Sequence, residues 1–202
     1  MNDTKAELIS AATELFADHG YTGTSIRMIT NKASANLGAI TYHFGSKQAL
    51  YEQVFGAQTE PFRRHMVETV GTDGSPLDRL ERFVRGLFQY LRDHPTMPRL
   101  LTQHLASHLP LLEPVRRTMA GNIGQIASLI TEGQQTGTIR EGDPRLMALS
   151  IGSQPLFLSL MAHALREGAA IDQDDPDTGQ DIEDSVVHFI RAGLALHPVK
   201  ER

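Results

Sequence analysis

Apolar side chains recur at intervals of three or four residues along nearly the whole chain. Residues 77–92 show the pattern clearly, since Leu80, Phe83, Val84 and Leu87 share one face of a helix drawn through them. This spacing is typical of amphipathic helices, and there is no convincing two-residue alternation that would indicate strands. The sequence therefore predicts an all-α fold.

Capping residues and helix breakers divide this pattern into successive helices. Gly20 stands where a C-terminal cap is expected, and the side chains suited to N-cap a helix are Thr24 or Ser25, Asn36, Ser46 and Asp143. The expected helices span residues 3–18, 25–32, 37–43, 47 onwards, 77–92, 98–107, 111–135, 144–168 and 182–196. Pro61 is expected to interrupt or kink the fourth helix, and the acid-rich segment 172–181 is expected to be a solvated loop.

The distribution of charge singles out one segment. The chain has a net charge of -5 at pH 7, yet residues 19–51 contain no Asp or Glu and carry Arg27, Lys32 and Lys47. An acid-free segment can approach a polyanion without like-charge repulsion, whereas the rest of the chain carries the excess of acid. Residues 19–51 are therefore the part of the chain best suited to meet a nucleic acid.

Several classes of function lack the residues that they require. The chain has no cysteine, which excludes disulfides, thiolate catalysis and Cys-ligated metals. Neither Gly-x-Ser-x-Gly nor His-Glu-x-x-His occurs, and a phosphate loop and a dinucleotide fingerprint are also missing, so we expect no enzyme and no cofactor. No apolar run approaches the ~18 residues that span a bilayer, and no signal peptide is evident, so we expect a soluble cytoplasmic protein without a membrane partner.

The first fifty-odd residues have the helix lengths of a helix-turn-helix, with about four residues between the second and third helices. Residues 38–50 read Gly-Ala-Ile-Thr-Tyr-His-Phe-Gly-Ser-Lys-Gln-Ala-Leu. This run resembles the N-terminal domain of TetR-family repressors over about residues 5–55, and so do the spaced pairs Leu15-Phe16, Gly20-Tyr21 and Thr24-Ser25. The sequence departs from the family pattern at Ser34, where Gly is usual, and at Thr41, where Tyr is usual.

The resemblance implies that residues 37–43 form a recognition helix that binds double-stranded DNA. The candidates for base contact are Asn36, Leu37, Gly38, Ala39 and Thr41. Because the helix offers no arginine, we expect apolar contact with thymine methyl groups, and Gly38 would allow close approach. The candidates for phosphate contact are Thr24, Ser25, Arg27, Tyr42, His43 and Lys47, and Lys47→Ala is expected to weaken binding to every sequence.

By the same resemblance, residues 1–50 form the DNA-binding domain, and residues 51–202 form a helical domain that binds a small apolar or amphipathic ligand. The last two helices of this domain would form a homodimer. Met and Phe suit an adaptable apolar pocket, and the candidate lining residues are Phe62, Met66, Phe83, Leu87, Met97, Leu101, His104, Met119, Ile123, Phe157 and Met161. His104 and His108 have a spacing that can bind metal, but the pattern offers no third ligand, so we expect core or pocket histidines and no metal site.

Three functions are compatible with these patterns. The favoured one is a repressor that binds a palindromic operator as a homodimer and is released by a small molecule. The alternatives are a DNA-binding regulator without a small-molecule effector and, more remotely, an all-α enzyme. An enclosed apolar cavity would favour the first function over the second, and an acid–base pair within it would favour the third.

Overall fold

A computed structural model of the protein describes residues 3–196, and these residues contain helices but no strand. The helices are α1 (Asp3–Gly23), α2 (Ile26–Lys32), α3 (Ala39–Phe44), α4 (Lys47–Val70), α5 (Pro76–Asp93), α6 (Thr96–Ala106), α7 (Glu113–Gln135), α8 (Pro144–Ala169) and α9 (Pro176–Leu194). The all-α prediction is therefore confirmed. A single antiparallel bridge joins Ile139 to Ala195.

The described chain falls into two compact units. The first contains the residues up to Phe62 together with His94–Met119, and the second contains Arg63–Asp93 together with the residues from Ala120 onward. Consequently α4 and α7 each contribute residues to both units. The boundary predicted at residue 50 divides the chain by function, and it stays a prediction.

The first unit is built on α1, which packs against α6 and α2. Its core holds Leu8 and Phe16 of α1, Ile29 of α2, Ile40 of α3 and Leu50 of α4, all fully buried. Each side chain of this size stabilises the fold by about 1.5–3 kcal/mol when it leaves water. The apolar faces read from the sequence therefore fix how the short helices α2 and α3 are held.

Several predicted caps are confirmed. The backbone N–H groups of Met28 and Ala49 donate to the hydroxyl oxygens of Ser25 and Ser46, which cap α2 and α4. Asp143 likewise accepts a hydrogen bond from the N–H of Arg145 at the start of α8. These side chains satisfy N–H groups that have no partner within the helix, which is why the helices begin there.

Two predicted helix ends differ from the structure. Gly20 has a φ of 68° and breaks the first helical run as expected, but the chain then adds a further helical turn that ends at Gly23. The end expected at Gly168 lies one residue early, because α8 continues to Ala169 and is capped by Ala170 in the left-handed conformation. Residue type alone gave no signal for this cap, since alanine rarely adopts positive φ. In addition, α4 continues through Pro61 to Val70.

The second unit joins α5 to α8 and α9. The α9 residue Glu183 is buried and forms ion pairs with Arg85 and Arg92 of α5, at 3.1 and 2.9 Å. The α9 residue Arg191 pairs in return with Glu81 of α5 at 2.8 Å. Oppositely charged side chains on both helices therefore fix the register of α9 along α5.

The solvated loop predicted for residues 172–181 is wrong over its second half. α9 begins at Pro176, six residues earlier than expected, because Asp175 caps it by accepting a hydrogen bond from the N–H of Thr178 at 2.9 Å. Proline at the first helical position needs no N–H partner. The same Asp-Pro signature correctly predicts the start of α8.

Candidate nucleic-acid interface

The helix-turn-helix is held by a small apolar core between α2 and α3. Ile29, Ile40 and Phe44 are buried and Ile26 is partly buried, as their spacing predicted. α3 begins at Ala39 instead of residue 37, and Asn36 makes no side-chain cap, although its carbonyl accepts a hydrogen bond from the N–H of Ala39. Leu37 therefore lies in the turn that precedes the recognition helix.

The turn between α2 and α3 requires a left-handed residue. Ser34 has a φ of 50°, and the N–H groups of Ser34 and Ala35 donate to the carbonyls of Asn31 and Thr30. A non-glycine residue in this conformation costs about 1–2 kcal/mol. The structure thus explains why the family pattern has glycine here, and it shows that this chain accepts the strain.

Two open grooves flank the start of α3. The first, the α2–α3 groove, is lined by Ser25, Ile26, Arg27, Leu37, Gly38 and Thr41. The second, the α1–α3 groove, is lined by Thr4, Glu7, Ser34, Ala35, Asn36, Gly38, Ala39, Tyr42 and His43. Nine of the eleven residues predicted to bind DNA therefore lie on two adjacent surfaces that share Gly38, and Thr24 and Lys47 lie elsewhere. Thr4 and Glu7 of α1 were missed, because only the packing of α1 brings them beside α3.

The exposed face of α3 is smaller than predicted. Leu37 is 56% exposed and Tyr42 is 80% exposed, and Thr41 is also exposed. The expectation that Ala39 is exposed is wrong, because its side chain is 7% exposed and belongs to the apolar core. Its methyl group packs against the protein and is poorly placed to contact a base.

Neither the backbone conformation nor the packing of the folded chain requires glycine at position 38. Its φ is -73°, which any residue can adopt, and a Cβ built on it would meet its nearest atom, Oδ1 of Asn36, at an ordinary 3.6 Å. The absence of a side chain instead leaves the backbone open to a body outside the chain. Both grooves include this position.

Thr24 and Ser25 are placed very differently. The Thr24 hydroxyl is buried and donates to the carbonyls of Leu15 and Gly20, at 3.0 and 2.8 Å, so it stabilises the break in α1 and does not face the grooves. The predicted phosphate contact through this hydroxyl is therefore not supported by its position. Ser25 is exposed, and because its oxygen accepts from Met28, its hydroxyl proton can still be donated outward.

Tyr42 and His43 form an aromatic pair at the rim of the α1–α3 groove. Their ring centroids are 4.8 Å apart in an edge-to-face arrangement, with His43 half-buried. Arg27 is exposed on the other side, in the α2–α3 groove. Hydroxyl, imidazole and guanidinium groups are all able to donate hydrogen bonds to phosphate oxygens.

Lys47 occupies the junction between α1 and α4. Its ammonium group donates to the carbonyl of Tyr21 at 2.5 Å and lies 4.2 Å from the centre of the Tyr21 ring. Partial burial lowers the pKa of Lys47 below its ordinary value. Lys47 lines neither groove, and its first role in this structure is to anchor α4 to the end of α1.

The candidate ligand-binding residues differ widely in exposure. Those that are buried are Phe62 and His104 in the first unit and Met66, Phe83 and Leu87 in the second. Those that are partly buried are Met97, Leu101, Ile123 and Met161. Met119 and Phe157 are 38% and 61% exposed, so the expectation that Phe157 lines an enclosed pocket is not supported.

His104 is a core histidine of the first unit. Its Nε2 atom accepts a hydrogen bond from the N–H of Leu112 at 3.3 Å, and its Nδ1 atom lies 3.3 Å from the hydroxyl of Tyr51. Both ring nitrogens are therefore occupied, whereas His108 is exposed. Within residues 3–196, no group of three or more His, Asp or Glu side chains is arranged to hold a metal ion.

The surface of α8 is unusually apolar. Among the helices between residues 3 and 196, α8 alone is long and apolar enough to cross a membrane by length and composition, with a mean hydropathy of 1.3 over its best window. Its apolar residues do not form one uninterrupted run, because Ser153 and Gln154 lie among them. Only 22% of the most apolar 18-residue stretch of α8 is buried. Leu146, Leu149 and Phe157 are exposed.

Comparison with known proteins accounts for this arrangement of helices. The family described as bacterial regulatory proteins, tetR family, matches residues 8–54, and the tetracyclin repressor-like C-terminal domain matches residues 76–190. The HTH-type transcriptional repressor NicS of Pseudomonas putida is 26% identical over 182 residues, which cover 88% of this chain and 86% of NicS.

Two solved structures share the fold. Bacillus subtilis FadR in complex with stearoyl-CoA has a TM-score of 0.75 and 21% identity, over 95% of this chain and 99% of that one. AibR in complex with isovaleryl coenzyme A and operator DNA has a TM-score of 0.74 and 19% identity, over 92% and 97%. The matched domains cover both the helix-turn-helix and most of the C-terminal helices. The chain therefore belongs to the TetR family of DNA-binding transcriptional regulators.

Proposed function

We propose that the protein is a repressor that binds a palindromic operator as a homodimer and is released by a small molecule. The observation that carries the DNA-binding part is Gly38, whose missing side chain neither backbone conformation nor internal packing explains. A glycine shared by two surface grooves of a helix-turn-helix allows the backbone to approach the floor of the DNA major groove. Residues 1–50 would then be the DNA-binding domain, and residues 51–202 the sensing and dimerisation domain.

The contacts with DNA divide by chemistry. Ser25, Arg27, Tyr42 and His43 are proposed to hold phosphates, and Lys47 contributes through the N–H groups that Tyr21 does not use. Leu37 and Thr41, with Asn36 beside them, are proposed to face the base edges. Phosphate contacts fix the register of the protein on the duplex, and base contacts supply the sequence preference.

A second copy of the chain is proposed to cover the apolar surface of α8 and α9. Leu149 and Phe157 of α8 and Phe189 of α9 are exposed, and α8 packs against α9. Large apolar side chains exposed on two packed helices are typical of an interaction site. One short recognition helix reads few base pairs, so a two-fold dimer that reads a palindrome supplies the missing specificity. Half-sites should then be about 34–36 Å apart, or a multiple of that distance.

Sedimentation velocity tests the dimer directly. Phe157→Asp places a charge in the proposed interface and is expected to yield monomers at concentrations where the unmodified protein is dimeric. Val67→Asp is the matched control, because Val67 is 53% exposed on α4, which is not part of the proposed interface, and this variant should remain dimeric. A Phe157→Asp protein that sediments as a dimer would contradict the proposed interface.

The small molecule is proposed to be apolar or amphipathic and to bind within residues 51–202. FadR of Bacillus subtilis with stearoyl-CoA and AibR with isovaleryl coenzyme A show that the fold holds acyl thioesters in other proteins. To act as an inducer, the molecule must bind the DNA-incompetent conformation more tightly than the DNA-bound one. The regulators of this family are soluble DNA-binding proteins, and we place this one in the cytoplasm.

Selection from a library of random duplexes, followed by ligand titration, tests the proposed function. The expected result is enrichment of an inverted repeat, and release of that duplex by an acyl-CoA thioester at concentrations where coenzyme A alone has no effect. Failure to enrich any sequence would contradict the repressor. Enrichment without release by any member of a small-molecule library would instead favour a regulator that has no such effector.

A further inference from the structure

The α2–α3 groove has an apolar wall with a single charge. Of its six lining residues, Ile26 and Leu37 are aliphatic, Gly38 has no side chain, and Thr41 contributes a methyl group beside its hydroxyl. Arg27 is the one charged residue among them. The groove joins an exposed turn to two helices, so a flat object can enter it from outside.

Leu37 does not contribute to the core of the first unit. It lies in the turn before α3 and is 56% exposed, while the neighbouring Ala39 and Ile40 are buried in that core. An isolated exposed leucine is ordinary. Leu37 differs because Thr41 and Ile26 line the same groove, so three side chains there offer carbon atoms to a body outside the chain.

We propose that this face recognises thymine through its 5-methyl group, and this inference rests on the DNA-binding function proposed above. The thymine methyl is the apolar group that natural bases present in the major groove, and it distinguishes an A·T pair from a G·C pair there. Leu37 has no hydrogen-bonding atom in its side chain, so it discriminates among bases by contact with carbon alone. Ile26 replaces the buried Ala39 among the side chains expected to contact a thymine methyl group.

The apolar residues and Arg27 make different kinds of contact with DNA. The carbon atoms of Leu37, Ile26 and Thr41 enclose the methyl group, and the Arg27 guanidinium at the rim donates hydrogen bonds to the flanking backbone or base edge. Hydrogen-bond readout alone would require amide or guanidinium groups along the wall, and Leu37 and Ile26 carry neither. The preferred half-site therefore contains at least one thymine whose methyl group is needed for binding.

Replacement of thymine by deoxyuridine tests this inference, since it removes the methyl group and leaves base pairing intact. In a duplex obtained by selection, each thymine of a half-site is replaced in turn. At the recognised position we expect roughly a fourfold loss of affinity, as for the burial of one methyl group. Replacement in both half-sites should multiply the losses to roughly fifteenfold.

Two variants assign the effect to the groove. Leu37→Ala should bind the thymine and deoxyuridine duplexes with nearly equal affinity, and Thr41→Ser should reduce the difference. Tyr42→Phe is the control, because Tyr42 lines the other groove. Loss of its phosphate contact should weaken binding to both duplexes alike, so the full difference between them should remain. All three positions are exposed, so melting temperatures should be unchanged.

The outcomes separate this inference from the function on which it rests. If the protein selects a duplex but no thymine-to-deoxyuridine replacement weakens binding, methyl recognition is overturned and DNA binding stands. If Leu37→Ala keeps the full difference, the methyl is read elsewhere and the assignment to this groove is overturned. If no duplex is selected, both the inference and the proposed repressor fail.

Discussion

The histidine in the core of the first unit is expected to make the fold sensitive to acid. His104 is 2% exposed, and burial lowers the pKa of its imidazole below the ordinary value of 6.5. Because Nε2 accepts the N–H of Leu112, the ring proton must lie on Nδ1, where it can be donated to the hydroxyl of Tyr51. A second proton on Nε2 would oppose the N–H of Leu112 and break that hydrogen bond.

The sign and size of the effect follow from proton linkage. A histidine whose pKa is lower in the folded state binds its proton more readily in the unfolded chain, so stability falls as the pH drops below about 6.5. The slope approaches about 1.36 kcal/mol per pH unit for as long as the pH stays above the folded-state pKa. At pH 5.5 the free energy of unfolding should therefore have lost up to about 1.4 kcal/mol through His104.

Urea unfolding at pH 7.5 and pH 5.5, at one fixed protein concentration, measures this contribution. His104→Gln cannot take up the proton, so it should be less stable at pH 7.5 but should lose less stability on acidification than the unmodified protein. His108→Gln is the control, because His108 is exposed. An equal loss of stability in His104→Gln and in the unmodified protein would refute the reasoning.

Three further predictions concern particular contacts. Ser34→Gly should raise the melting temperature, because glycine adopts the φ of 50° without strain; the net gain is roughly 0.5–1 kcal/mol once the larger entropy of glycine in the unfolded chain is subtracted. Ala170→Gly, at a φ of 56°, should have the same effect. A lower melting temperature in both variants would contradict the strain. Gly86→Ala should lower the free energy of unfolding by about 1–3 kcal/mol, because its Cβ would lie 2.6 Å from Cγ2 of Thr69. Adding Thr69→Ser, which removes that methyl group, should recover part of the lost stability in thermal unfolding. Lys47→Ala should weaken binding to all duplexes and lower by about one the slope of log affinity against log salt concentration. An unchanged slope with a lower melting temperature would contradict a phosphate contact by Lys47 and show only its role in anchoring α4.

Local chemistry made much of the fold predictable. Ser25, Ser46 and Asp143 cap helices where their side chains indicated, and Gly20 breaks α1 at the expected residue. Such signals depend on a few neighbouring residues, which the sequence displays directly. Asp175 and Pro176 carry an equally good signal, but the surrounding acids had favoured a solvated loop over a helix start.

The candidate interface was less predictable, because burial in a six-residue helix is decided by other parts of the chain. Ala39 and Thr24 are both small residues in the DNA-binding motif, and both are buried. Ala39 belongs to the apolar core of the first unit, and the Thr24 hydroxyl donates to carbonyls of α1. Lys47 likewise looks like a free cation in sequence, and its contact with Tyr21 joins residues 26 positions apart. No local rule relates such residues, so the motif located the surface without assigning each side chain to it.

The stoichiometry of the complex with DNA tests the central claim most directly. A duplex enriched by selection is compared with the same duplex in which one half-site is scrambled, by sedimentation and by titration. We expect two chains on the full duplex and a large loss of affinity when one half-site is lost, since the two reading heads act together. One chain on the full duplex, with unchanged affinity for the scrambled one, would contradict a dimeric repressor of a palindromic operator.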